Sequence, residues 1–101
     1  MKITFVKKIK ADGNPCRKCS DVEQRLLEGD FMSLIDETVV ADERDTNSLG
    51  MLLARQHEVE LAPFFVVEHD DGKIEIYTVY FKLVKEVLQP AVENRIQTTE
   101  S

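Results

Sequence analysis

The chain has 101 residues, 43% of them hydrophobic, and a net charge of −6; that is enough for one small globular domain and no more. No apolar run approaches the roughly 18 residues that a membrane-spanning helix needs. The acidic balance argues against a nucleic-acid partner, which calls for a basic face.

Charge is unevenly spread. Lys2, Lys7, Lys8, Lys10, Arg17 and Lys18 precede residue 19 against the single acid Asp12, and the remainder is acidic. This collar reads either as a solvated strand edge guarded by lysines or as a positive surround for the residues that follow it. The N-terminus has neither the apolar stretch nor the cleavage site of a secretory leader, so a cytoplasmic location is expected.

Met1 to Ile9 is rich in β-branched and aromatic residues and predicts a strand. Asp12-Gly13-Asn14-Pro15 is a dense turn cluster. A helix follows, with Cys19, Val22, Leu26 and Leu27 at helical spacing, Asp21 and Glu23 in its first turn, and Gly29 as its stop. Ser33 to Asp42 predicts a second strand. Arg44 to Ser48 offers several caps for a second helix, whose buried side would be Leu49, Leu52, Leu53 and Val59; Gly50 weakens it by roughly 1 kcal/mol relative to alanine. Pro63 can open a strand but not occupy its centre, so Phe64 to Glu68 predicts the third strand. Asp71-Gly72 is a hairpin signal, with Lys73 to Tyr77 as the fourth strand. Val79, Leu83, Val84, Val87 and Leu88 line a last helix that would end before Pro90. Residues 1–89 then form the domain, and 90–101 a frayed tail. Strands alternating with helices favour parallel pairing, and the hairpin adds an antiparallel strand. The expected architecture is α/β, a four-stranded mixed sheet flanked by three helices in the order βαβαββα.

The only two cysteines, Cys16 and Cys19, stand two residues apart at the start of the first helix. Thiols at this spacing can face one another and close a disulfide with little backbone movement. The same spacing suits half of a zinc site. Structural zinc wants four ligands, and the remaining candidates, His57 and His69, fall late in the second helix and at a strand end, where neither should reach the cysteines. In a reducing cytosol a lone structural disulfide would be out of place, so a cycling pair or a metal pair is the better expectation.

At this point the chain resembles the thioredoxin-like superfamily, closest to the small glutaredoxin and thioredoxin domains. Three features carry the resemblance: Cys16-x-x-Cys19 after the first strand; Asp45-Thr46-Asn47 through Leu53-Ala54 to Val59-Glu60-Leu61-Ala62-Pro63-Phe64-Phe65; and the Asp71-Gly72 hairpin with its closing helix. They cover about residues 2 to 88. The resemblance implies a thioredoxin-like fold and a thiol–disulfide oxidoreductase, with Cys16 as the attacking thiol, Cys19 as the resolving thiol and Pro63 as a cis-proline facing them. Ala62 and Pro63 would offer backbone polar groups to an extended substrate, with Arg17 and Lys18 beside it. On the family's logic the proline also keeps metal from the pair. The chain departs from the family in having Arg17-Lys18 between the cysteines, Pro15 ahead of them, Lys10 where a buried acid often stands, and no Gly-Gly-Asp run after the hairpin.

A cysteine nucleophile must be a thiolate, and C-x-x-C motifs lower its pKa. The helix N-terminus, the second thiol and the charges of Arg17 and Lys18 are all expected to lower that of Cys16. The expected partners are protein or small-molecule disulfides and a thiol reductase or glutathione as electron donor, with no cofactor, metal, nucleic acid or membrane, on a monomer. The competing readings are a metal- or iron–sulfur-binding thioredoxin-like protein and a non-catalytic interaction module.

Overall fold

A computed structural model describes the backbone of residues 1–100 and the side chains of residues 1–94. In chain order the elements are β1 (Lys2–Ile9), α1 (Arg17–Glu28), a 3₁₀ turn (Met32–Leu34), β2 (Glu37–Asp42), α2 (Leu49–Gln56), β3 (Phe64–Glu68) and β4 (Ile74–Tyr77). The chain closes with α3 (Tyr80–Leu83), a π-helical turn (Val84–Leu88) and α4 (Gln89–Glu100), which follow one another without a break. The four strands make one sheet in the order β2-β1-β3-β4. β1 runs parallel to β2, and β3 runs antiparallel to both β1 and β4. This is the expected α/β architecture with a mixed four-stranded sheet.

Both faces of the sheet are covered, which is why β1 and β3 read as nearly continuous apolar runs. Side chains alternate across a strand. Ile3 and Phe5 of β1 and Phe65 and Val67 of β3 point to one face, where they pack with Val22 and Leu26 of α1 and with Leu83, Val87 and Leu88 of the closing helix. Val6, Phe64 and Val66 point to the other face, joined by Val39 and Ala41 of β2 and covered by Met51, Leu53 and Ala54 of α2. Phe5 and Phe65 are register partners, and their rings stack at 5.0 Å. The β3–β4 hairpin turns through Gly72 at φ 89°, a left-handed conformation that suits a residue without Cβ.

Three expectations need correction. The strand expected from Ser33 begins only at Glu37, because Met32–Leu34 forms a 3₁₀ turn that buries Leu34. The apolar faces of the helices are also narrower than their periodicity suggests. Leu27, Leu49, Leu52 and Val79 are exposed. In α2 the reason is Gly50, the residue that lies on the sheet: a Cβ there would stand 2.3 Å from the Ala41 nitrogen and 2.4 Å from the Val40 carbonyl carbon. With Gly50 as the contact, Met51, Leu53 and Ala54 turn inward while Leu49 and Leu52 turn outward. Lastly, the closing helix does not end before Pro90. Proline lacks an N–H, and its ring opposes the carbonyl four residues earlier in a regular α-helix; the wider π-helical turn just ahead accommodates it. Ala91 and Val92 then pack against the core, so the chain stays attached to the domain beyond residue 89.

Candidate functional site

The two cysteines sit where β1 hands over to α1. Past Ile9 the chain reverses through a tight loop, in which Asn14 N–H donates to Asp12 Oδ1 at 2.9 Å and Lys10 N–H to the Asn14 carbonyl at 2.9 Å. Pro15 bridges back to Ile9. Cys16 follows as the N-cap of α1, extended at φ −68° and ψ 126°, and its carbonyl accepts the first helical bond from Ser20 N–H at 3.0 Å. Cys19 lies one turn further in and is buried, whereas Cys16 is partly exposed; both are free thiols.

One strand residue holds this arrangement. The β1–β3 ladder ends at Val6, and two residues later Lys8 turns its peptide groups to the cysteines. Its N–H donates to Cys19 Sγ at 3.3 Å, and its carbonyl accepts from Cys16 N–H at 3.1 Å.

The sulfurs differ in kind. Burial disfavours a charge on Cys16, but it is outweighed by the backbone amide of Cys19, the Cys19 thiol, the amide of Lys18 and the charge of Lys8, so the Cys16 thiol is held below the ordinary range. Burial dominates at Cys19; the Lys8 amide opposes it, and the developing charge on Cys16 reinforces it. The Cys19 thiol is pushed up to about 11. The two therefore differ in ionisability, a partly exposed thiol held low with a buried thiol donor behind it, and the thiolate is the reactive form of any cysteine. Two of the expected causes, the helix N-terminus and the second thiol, act on Cys16. The charge of Lys8 acts on Cys16 as well, while Arg17 and Lys18 are exposed on the first turn of α1.

The Ala62–Pro63 peptide is cis, Pro63 is buried and Ala62 half-buried. Val6 pairs with Phe64 in the last rung of the β1–β3 ladder, so Ala62 and Pro63 lead into β3 just past that rung, and Ala62 shares a groove with Lys8. A groove of about 580 Å³ runs from Lys8 and Ala62 across Phe64 and Ala41 to Met51 and Ala54 of α2. The structure thus brings Cys16, Cys19 and Lys8 together and sets Ala62 and Pro63 on the adjoining strand entry. His69 lies elsewhere. It sits beyond Glu68, the partner of Lys2, at the opposite end of β1 from Lys8 and roughly 20 Å away by strand rise. There it bonds Glu75 at 2.9 Å.

Sequence reasoning placed Lys8 in the basic collar, read either as a guarded strand edge or as a positive surround for the cysteines, without singling it out from the other lysines. β1 is in fact an interior strand. The spacing of Lys8 from Cys16, with a turn cluster between them, is the signal that could have found it. No family model, no curated protein and no solved structure matches the chain.

Proposed function

We propose that this protein is a thiol–disulfide oxidoreductase of thioredoxin-like fold, working through Cys16 and Cys19. The observation that carries this reading is the asymmetry of the two sulfurs: Cys16 partly exposed and held low, Cys19 buried and held at about 11. The strand order β2-β1-β3-β4, the dithiol at the head of the helix after β1 and the cis Ala62–Pro63 peptide ahead of β3 support it.

In the proposed cycle the Cys16 thiolate attacks one sulfur of a partner disulfide. A Cys16–partner bond forms, the partner's S–S bond breaks, and its other sulfur leaves as a thiolate that takes up a proton. The Cys19 thiol then gives up its proton and attacks Cys16 Sγ. The mixed disulfide breaks, the partner's second sulfur leaves as a thiol, and Cys16–Cys19 closes. Two electrons have passed from this protein to its partner, and a thiol donor such as a dithiol reductase or glutathione returns them. Partner backbone would lie along Ala62 and Pro63, with Arg17 and Lys18 at the outer rim.

Replacing Cys19 with serine tests this directly, because the second attack is lost while the first remains. A Cys19→Ser variant should accumulate as a mixed disulfide with a model disulfide substrate, and a Cys16→Ser variant should not. If Cys19→Ser forms no adduct and Cys16 resists alkylation near neutral pH, the reading is wrong.

A further inference from the structure

A second groove, of about 350 Å³, opens between α1 and the closing helix, lined by Val22 and Arg25, Phe31, Tyr80 and Phe81, and Val84. Leu83, Val87 and Leu88 of the closing helix turn into the core, while Phe81 and Val84 face this groove. Phe81 is 74% exposed, more than any other large apolar side chain among the described residues, and Val79 just ahead of it is also exposed. Phe31, Tyr80 and Val84 are half-buried. A lone exposed apolar side chain is ordinary. Several opening on one groove, with the aromatic and arginine content of an interface centre, mark a surface that something covers. Arg25 is the charged residue of the lining. Among the described residues it has no ion pair, and neither its guanidinium nor the Tyr80 hydroxyl has a hydrogen-bond partner. Of the acids one turn away on α1, Glu28 accepts from the Gln24 amide at 3.1 Å and Asp21 stays in solvent. Burial pushes the Tyr80 hydroxyl up and the charge of Arg25 opposes it, so the two groups stand within electrostatic reach of one another.

We propose that this groove docks an acidic amphipathic helix of a partner protein, whose leucine or aromatic side chains pack on Phe31, Phe81 and Val84 and whose carboxylate pairs with Arg25 and the Tyr80 hydroxyl. The shape selects a chain segment over a small molecule. Small-molecule pockets enclose most of their ligand, whereas the Phe81 wall of this groove is largely open. A groove between two helices suits apolar anchors at i, i+3 and i+4 of a third. The charge selects the sign. An arginine fork matches a carboxylate with two parallel bonds, and the phenol hydroxyl adds another donor. Lys82 and Lys85, which follow Phe81 and Val84 in the chain, are exposed and also have no ion pair among the described residues. On a chain of net charge −6, this face therefore offers unpaired cations to an acidic segment. The docking uses neither cysteine and stands apart from the oxidoreductase reading.

The experiment is selection of a phage-displayed library of random helical peptides without cysteine, run in parallel on the full chain and on Phe81→Ser and Arg25→Glu variants whose circular dichroism matches the parent. The parent should enrich sequences with leucine, phenylalanine or tryptophan at i, i+3 and i+4 and an excess of aspartate and glutamate. Synthetic copies of the enriched peptides, followed by fluorescence anisotropy, should bind Phe81→Ala and Arg25→Ala about tenfold or more weakly than the parent. Their binding should weaken as salt rises, and Arg25→Lys should retain more of it than Arg25→Ala. Leu52→Ala, exposed on α2 across the sheet, should bind as the parent does. No enrichment on the parent, equal enrichment on Phe81→Ser, or enriched peptides of net positive charge overturns the proposal. So does a parent that sediments as a dimer and becomes a monomer in Phe81→Ser, because a second copy would then be the occupant. The library contains no thiol, so the selection reads the groove whether or not the protein exchanges disulfides.

Discussion

At the scale of single residues, the two thiols leave opposite marks on stability. A thiol whose folded pKa is raised binds its proton more tightly in the folded state, so its contribution is full below the unfolded value of about 8.5 and is lost as pH climbs through the folded value. For Cys19 that window runs up to about 11. Cys16 has the reverse sign: its lowered pKa contributes above the unfolded value and fades as pH falls. Urea unfolding at pH 8 and at pH 10.5 should therefore show the parent losing more stability than Cys19→Ala over that interval. An equal loss in both would mean that burial of Cys19 does not control its ionisation. The same residues bear on redox poise. Whatever stabilises the Cys16 thiolate stabilises the reduced form and raises the potential, so Lys8→Met should make the dithiol more reducing in equilibrium with glutathione.

At the scale of elements, Gly50 decides how α2 lies on the sheet. Helix propensity alone favours alanine at this position by about 1 kcal/mol. The backbone of Val40 and Ala41 leaves no space for a methyl group, and forcing one into a packed contact typically costs about 1–3 kcal/mol. Gly50→Ala should thus lower the urea midpoint, whereas Leu52→Ala, at an exposed position, should leave it nearly unchanged. A stabilised Gly50→Ala would show that α2 can lift from β2 at no cost. This element also shows what could be read from residues alone. The order of strands and helices was legible because turn clusters such as Asp12-Gly13-Asn14-Pro15 and Asp71-Gly72 separate runs of different period. The orientation of α2 was not, because periodicity counts Leu49 and Leu52 as apolar and takes no account of a glycine contact. At the site, Cys16 and Cys19 stood out by spacing, and Pro63 by its place before an apolar strand. Lys8 was legible only as one member of the basic collar, because its peptide contacts with the cysteines depend on where the β1–β3 ladder stops, and that is a tertiary fact.

At the scale of the whole molecule, β1 and β3 join two hydrophobic layers into one cooperative unit, since adjacent residues on each strand serve opposite faces. A domain of this length is stable by only about 5–15 kcal/mol, and removing a buried phenylalanine costs about 3–5 kcal/mol. Phe65 is buried and stacked on Phe5. Phe65→Ala should lower the thermal midpoint by well over 10 °C and should do so equally for a near-ultraviolet signal and for amide circular dichroism. Separate midpoints for the two signals would mean that the layers unfold independently.

The strand order leaves two margins, β2 and β4, each with one neighbour. Unpaired strand margins invite a second chain to add on and template fibrils. Here one margin is only four residues long and carries Glu75, and the other is bounded by Glu37 and Asp42. A chain with such short, acid-marked borders can stay dispersed at high concentration even though its interior strands, taken out of the fold, are among its stickiest segments.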